Sequence, residues 1–145
     1  METMPAIHQA PRRADVIRLL QSAALPTSDL TDEHMTDFFY VGPATAPIGI
    51  VGVQFYGADA LLRSLLVTSA HRTQGLGQRL VEHAEQHARE RGAGTVYLLT
   101  TTAESFFRSL GYAVTARDSA PPTIRSAPEF AGLCPASSAF LSKRL

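Results

Sequence analysis

Apolar positions along this chain change period several times, and each change marks an element. From Leu76, the residues Leu80, Ala84 and Ala88 recur every four positions with Val81 beside them, while Gln78, Glu82, Glu85, Gln86, Arg89 and Glu90 fill the opposite side. That is the pattern of an amphipathic helix. Glu85 and Arg89 are spaced for a favourable i,i+4 pair. The helix is expected to stop at Gly92, with Arg89 and Arg91 suited to its negative end. The run Leu65-Leu66-Val67 before it and Thr95 to Thr101 after it predict buried strands, giving a strand, turn, helix, strand unit.

The remaining pattern fills in around that unit. Met4 to Gln9 predicts a first strand, and Ala14 to Leu20 a helix with Val16, Leu19, Leu20 and Ala23 on one face, closed by Pro26. Ser28, Asp29 and Thr31 offer caps for a second short helix. Phe38 to Val41 and Ile48 to Tyr56 predict a hairpin turning at Gly42-Pro43, and Gly57 separates it from a strand over Leu61 to Val67. Ala113 to Arg117 predicts a strand, followed by a loop containing Pro121, Pro122 and Pro128, with Ser138 to Lys143 as the last strand. Strands outnumber helices and flank one helical crossover. The class is therefore α/β or α+β with a mostly antiparallel sheet.

The chemistry sits in the turn before the central helix. The first N–H groups of a helix have no intrahelical partner and carry the positive end of its dipole, so the segment Leu65 to Gly77, a strand ending in a glycine-punctuated basic turn, predicts an anion site fit for a diphosphate. Gly75 and Gly77 leave room for phosphate oxygens, and Arg72 can add a charge-assisted hydrogen bond of roughly 1.5–3 kcal/mol. A dinucleotide fingerprint is excluded because Leu80 stands where its third glycine would be, and the Gly-Lys-Ser/Thr of a Walker loop is absent.

Composition narrows the partners. At 145 residues and 45% hydrophobic, the chain can bury one full core, so residues 1–145 are expected to form a single domain. Net charge is zero, and no basic stripe points to nucleic acid. No apolar run has the length of a signal peptide or membrane span, so a cytoplasmic location is expected. One cysteine, Cys134, excludes an internal disulfide framework and thiolate-rich metal sites.

The motif Arg72-x-x-Gly75-x-Gly77, preceded by Leu65-Leu66-Val67 and followed by Ala103-Glu104-Ser105-Phe106-Phe107-Arg108-Ser109-Leu110-Gly111-Tyr112, resembles the acyl-CoA signature of the GNAT N-acetyltransferases. The resemblance implies a mixed, mostly antiparallel sheet flanked by helices, acetyl-CoA as co-substrate, no metal, and a small-molecule amine as acceptor. Dimers are common in that fold, so a homodimer is compatible with it. Leu61 to Leu65, Tyr97 to Ala103 and the stretch from Glu129 to Ser137 are similar to the small arsenic-resistance-associated group. Members of that group resemble enzymes that acetylate glutamate-like arsenical or phosphinic antibiotics, which would make this a resistance enzyme. Alternatives are another amine, such as an amino acid, polyamine or aminoglycoside, or an acyl-CoA-binding sensor without turnover.

Carried over residue by residue, the resemblance implies that Leu65, Leu66 and Val67 run along the pantetheine arm. Arg72, Thr73, Gln74, Gly75, Leu76, Gly77 and Gln78 would hold the pyrophosphate, and Phe107 would line the cofactor. Many relatives have a tyrosine at the position of Phe107 to protonate the leaving thiolate. Phenylalanine cannot, which leaves Ser105, Tyr112 or water for that role. The base that some relatives carry is replaced by Leu61. On the acceptor side, Arg63 alternates with Leu61 and Leu65 on one strand face. It is either a bidentate clamp for a carboxylate, phosphinate or arsenate-like head, or a salt-bridge partner of a structural carboxylate such as Asp59. Thr100, Thr101 and Phe39 are further candidates for the acceptor pocket. His83 and His87 stand i,i+4 without a third ligand in view, so packed histidines are favoured over zinc. Cys134 is expected to be a small buried hydrophobe rather than a nucleophile.

Overall fold

In the computed structural model, residues 5–145 are described, the side chains of Thr73 and Gln74 excepted. Seven strands, β1 (His8–Gln9), β2 (Phe38–Val41), β3 (Gly49–Tyr56), β4 (Asp59–Val67), β5 (Thr95–Thr100), β6 (Ala113–Val114) and β7 (Ala139–Arg144), hydrogen-bond in the order β1-β2-β3-β4-β5-β7-β6. Four α-helices accompany them: α1 (Arg13–Ser22), α2 (Leu76–Glu90), α3 (Glu104–Ser109) and α4 (Pro122–Arg125). β4 and β5 are parallel, with α2 as their crossover, whereas β1-β2, β2-β3, β5-β7 and β6-β7 are antiparallel. The chain divides into two compact units. One runs to Val53 and takes in Ser64–Ala84, and the other comprises Gln54–Arg63 and Glu85–Leu145. The divisions fall inside the continuous elements β3, β4 and α2.

In the first unit, Val16 and Leu20 of α1 pack with Leu30, Met35, Phe38, Ile50 and Leu66. The β2-β3 register places Phe38 opposite Gly52, and its ring lies where a side chain at position 52 would stand. Gly42, at φ +92°, makes the turn between these strands. Asp15 is buried on α1, which its ion pairs with Arg12 at 2.7 Å and Arg18 at 2.8 Å make tolerable. In the second unit, Leu61, Ala120, Ile124, Ala127 and Phe140 form the core, with Tyr56, Tyr97, Leu99 and Phe130 against it.

The amphipathic pattern of α2 is realised, with Leu76, Leu80, Val81, Ala84 and Ala88 all buried. Its end is a Schellman motif: the N–H of Gly92 bonds Arg89 O and that of Ala93 bonds Ala88 O, with Gly92 at φ +88°. Glu85 departs from expectation. It is only 3% exposed rather than solvated, because the far end of the chain brings it partners.

Other boundaries move for local reasons. The first strand is His8–Gln9 alone among the described residues, ended by Ala10 at φ +60°; Met4 lies outside them. The second short helix is a 3-10 turn, Glu33–Asp37, with Asp32 at its N-cap position; just before it the Thr31 hydroxyl accepts the His34 N–H at 3.4 Å while His34 Nδ1 accepts the Thr31 N–H. β6 ends at Val114 rather than Arg117. Arg117 instead begins a 3-10 turn and donates to Ser138 O at 2.8 Å. The proline-containing loop holds α4, opened by Pro122 at its first position, and a π-turn over Glu129–Leu133. No helix among the described residues is long and apolar enough to cross a membrane.

Candidate active site

The anion turn has more structure than an open loop. After β4, residues Ser69–Gln74 wind into a 3-10 helix that ends on Gly75 at φ +76°, and α2 begins at the next residue. A side chain at position 75 would sit in a left-handed conformation that L-residues resist, so glycine is required for the backbone. Among the described residues, a Cβ built there meets nothing within 4 Å, so the space beside the Gly75 Cα is open. Arg72 is exposed and its Nε donates to Val67 O at 3.0 Å, anchoring the guanidinium to the end of β4. Thr68 Oγ1 and His71 Nδ1, 2.9 Å apart, tie the start of the same turn. Gly77 lies in the first turn of α2 and Gln78 is exposed on it. These features fit a diphosphate: a left-handed glycine at a helix start, whose first N–H groups have no intrahelical partner, and the Arg72 cation beside it. The side chains of Thr73 and Gln74 lie outside the described residues.

β4 carries a feature that its leucine-rich sequence hides. Leu61 packs in the cluster that includes Tyr56, and Leu66 in the one that includes Ile50. Between them Ser64 stands at φ +61°, a left-handed residue inside the strand. Pairing of β4 with β5 spans Asp59–Leu61, so Leu65 and Val67 lie beyond that ladder.

The acceptor-side candidates divide. The side chain of Arg63 is fully buried and faces Glu129, Nη2 to Oε2 at 3.8 Å; Glu129 is itself 5% exposed and accepts from Cys134 Sγ at 3.7 Å. The carboxylate beside Arg63 is thus Glu129 of the π-turn, not Asp59. Thr100 turns its hydroxyl inward as an acceptor for the Ala103 N–H at 3.0 Å, capping the approach to α3, whereas Thr101 is exposed. Phe39 is buried edge-on against His83 at 4.6 Å, and His87 packs edge-on against Phe55 at 5.7 Å. No group of three or more His, Cys, Asp or Glu side chains able to hold a metal occurs among the described residues.

On α3, Phe107 is buried and Ser105 exposed. Tyr112 donates its hydroxyl to Glu85 Oε2 at 2.9 Å. Burial, then the charge of Glu85 and that hydrogen bond, push its phenol far above the ordinary range. A phenol held so firmly protonated is a poor proton donor, which counts against Tyr112 as the general acid. Glu85 and Glu129 are the polar residues that sequence reasoning missed. Their partners are remote in the chain, and no local spacing announces them.

The sequence pattern of the acetyltransferase (GNAT) domain matches residues 36–114, from before β2 through β6. The chain belongs to the GNAT acetyltransferase family. An uncharacterized N-acetyltransferase of Chlorobaculum tepidum is 38% identical over 81 residues, 55% of this chain and 52% of that protein. Streptothricin acetyltransferase of Streptomyces lavendulae is 36% identical over 95 residues, 61% of this chain and 50% of that protein. The chain spans about half the length of these curated relatives.

Among solved structures, N-acetylglutamate synthase from Neisseria gonorrhoeae, complexed with coenzyme A and N-acetyl-glutamate, superimposes with a TM-score of 0.81 at 22% identity, covering 100% of this chain and 36% of that one. A Mycobacterium tuberculosis protein in complex with CoA gives 0.80 at 19% identity, covering 97% and 99%. At such identities the likeness shows the fold alone, and the fold is that of GNAT N-acyltransferases.

Proposed function

We propose that residues 1–145 act as a single domain that transfers the acetyl group of acetyl-CoA to the primary amine of a small molecule. The observation that carries this reading is the left-handed Gly75 between the 3-10 turn and α2, with open space beside its Cα and Arg72 anchored next to it. Acetyl-CoA supplies the thioester. The N–H groups at the start of α2 and the Arg72 guanidinium hold its diphosphate. The main chain of Leu65 and Val67 lies along its pantetheine arm, and Phe107 of α3 lines it. The amine attacks the thioester carbon directly, a C–N bond forms as the C–S bond breaks, and the amine's proton passes to solvent. With Phe107 unable to donate and Tyr112 committed to Glu85, Ser105 or water protonates the departing thiolate. Positioning supplies much of the rate.

For the acceptor, a glutamate-like arsenical or phosphinic amino acid would need a cation for its second anion. Arg63 was the candidate, and its contact with Glu129 balances that charge inside the protein. We therefore assign the acceptor as a small amine whose recognition does not depend on Arg63. The relative named streptothricin acetyltransferase supports an antibiotic amine. Thiol release from acetyl-CoA, measured with streptothricin, phosphinothricin, glutamate, an aminoglycoside and a polyamine, tests both levels. Release with streptothricin, the aminoglycoside or the polyamine supports the assignment. Release confined to phosphinothricin or glutamate restores the anionic acceptor, and no release with any amine overturns acetyl transfer.

A further inference from the structure

Glu85 is a carboxylate without a role in the proposed chemistry, yet it is buried with three groups converging on it or its partners. Lys143 of β7 donates to Glu85 Oε1 at 3.2 Å and stands 3.1 Å from Oε2. Tyr112 donates to the same Oε2 at 2.9 Å. The Lys143 ammonium also donates to Leu110 O at 2.9 Å and lies 5.6 Å from the centre of the Tyr112 ring. Leu110 is the residue on which α3 ends, so the ammonium caps a terminal carbonyl of that helix.

The backbone is built to meet this arrangement. Gly111 N–H bonds Arg108 O and Tyr112 N–H bonds Phe107 O, a second Schellman motif with Gly111 at φ +97°. The Lys143 stem passes beside Gly111, where a Cβ would stand in ordinary contact at 3.4 Å from its Cε, so it is the positive φ that calls for glycine there. The Tyr112 ring packs edge-on against Phe107 at 5.6 Å, the apolar contact that accompanies such a cap. The contacts to Leu110 and Tyr112 end on residues that close α3, and the Lys143–Glu85 pair holds the two groups that make them. A charge pair at the surface would do little for a helix of six residues, but Glu85 is 3% exposed and the Tyr112 hydroxyl is buried with it.

We propose that Glu85, Lys143 and Tyr112 form a positioning clamp that fixes α3, and with it Phe107, for acyl-CoA binding. This rests on the proposed function in one respect, that Phe107 contacts the cofactor. None of the three touches the reacting atoms. Their effect on turnover passes through the orientation of α3.

The experiment is steady-state kinetics with amide hydrogen exchange on the wild-type protein and on Tyr112→Phe, Lys143→Met and Lys143→Arg. Tyr112→Phe and Lys143→Met are expected to raise the acetyl-CoA KM severalfold, with kcat/KM falling by up to about a hundredfold, and to leave the acceptor KM unchanged. Exchange at Leu110, Gly111 and Tyr112 should quicken while Gly92 and Ala93 keep their protection, and Lys143→Arg should recover part of both effects. A lower melting temperature with wild-type KM values and α3 protection overturns the clamp. A loss of kcat and of the alkaline limb of the pH profile in Tyr112→Phe, at constant KM, makes Tyr112 the acid instead and also overturns it. If the wild type acetylates no amine, the proposed function fails, while exchange at the end of α3 still tests the clamp. Should Lys143→Met not fold, Tyr112→Phe, which keeps the ring, decides between clamp and no clamp.

Discussion

Replacing Arg63 by methionine separates its two roles, anion clamp or internal counter-ion. The guanidinium and Glu129 are 3.8 Å apart with side chains 0% and 7% exposed. At that distance two unit charges attract by about 4 kcal/mol for an effective dielectric of about 20, and the desolvation of both groups offsets most of it. The intact pair therefore adds little net stability. Removing one partner is different, because a buried carboxylate is left without its cation, which costs about 3–5 kcal/mol. Methionine fills much of the arginine stem's volume, so a cavity contributes little of this. For a domain of 145 residues such a loss lowers the melting temperature by about 10–15 °C. Arg63→Met with Glu129→Leu removes both charges and should return most of the stability. Urea denaturation of the wild type, both single variants and the double variant closes the cycle, and acceptor KM is measured on each folded protein. An Arg63→Met variant within about 1 kcal/mol of wild type, with acceptor KM raised tenfold or more for anionic amines alone, would refute the counter-ion reasoning.

Three further outcomes are expected. Gly75→Val should reduce the rise in melting temperature given by acetyl-CoA, because it places a β-branched residue at φ +76° and a side chain in the open space beside the Cα; ligand-dependent thermal shifts check this, an undiminished shift counting against the site. Gly52→Ala should destabilise by about 1–3 kcal/mol, because its Cβ would meet the Phe38 ring, and Phe38→Leu in the same chain should recover part of the loss in denaturant titrations. The Arg12 hydrogen bond, with help from Arg18 and against burial, holds the Asp15 carboxyl below the usual range. Its contribution is present above the unfolded value of about 4 and lost as pH falls through the lower folded value, so Asp15→Asn should flatten the acid limb of a stability–pH curve.

The sequence alone determined what depends on neighbours within a turn or two. The apolar repeat of α2 follows from the helical period. The glycines at 75, 92 and 111 each sit at a helix boundary and adopt positive φ, a conformation that other residues resist. The same local grammar made the GNAT resemblance legible between Leu61 and Tyr112. Where that grammar misled, a contact from far along the chain had intervened. Glu85 looks solvated on a helical wheel, and its burial depends on Lys143, 58 residues away, and Tyr112, 27 away. For Arg63 the sequence left substrate clamp and internal salt bridge both open, and nothing near it announced Glu129, whose π-turn follows a stretch that reads as plain loop. The left-handed conformation of Ser64 has no local signal beyond a serine among leucines. Side-chain charge is written in the sequence, but its environment is not: only the closed fold decides whether water, a substrate or another buried group balances it, since that depends on which distant segments exclude solvent around it.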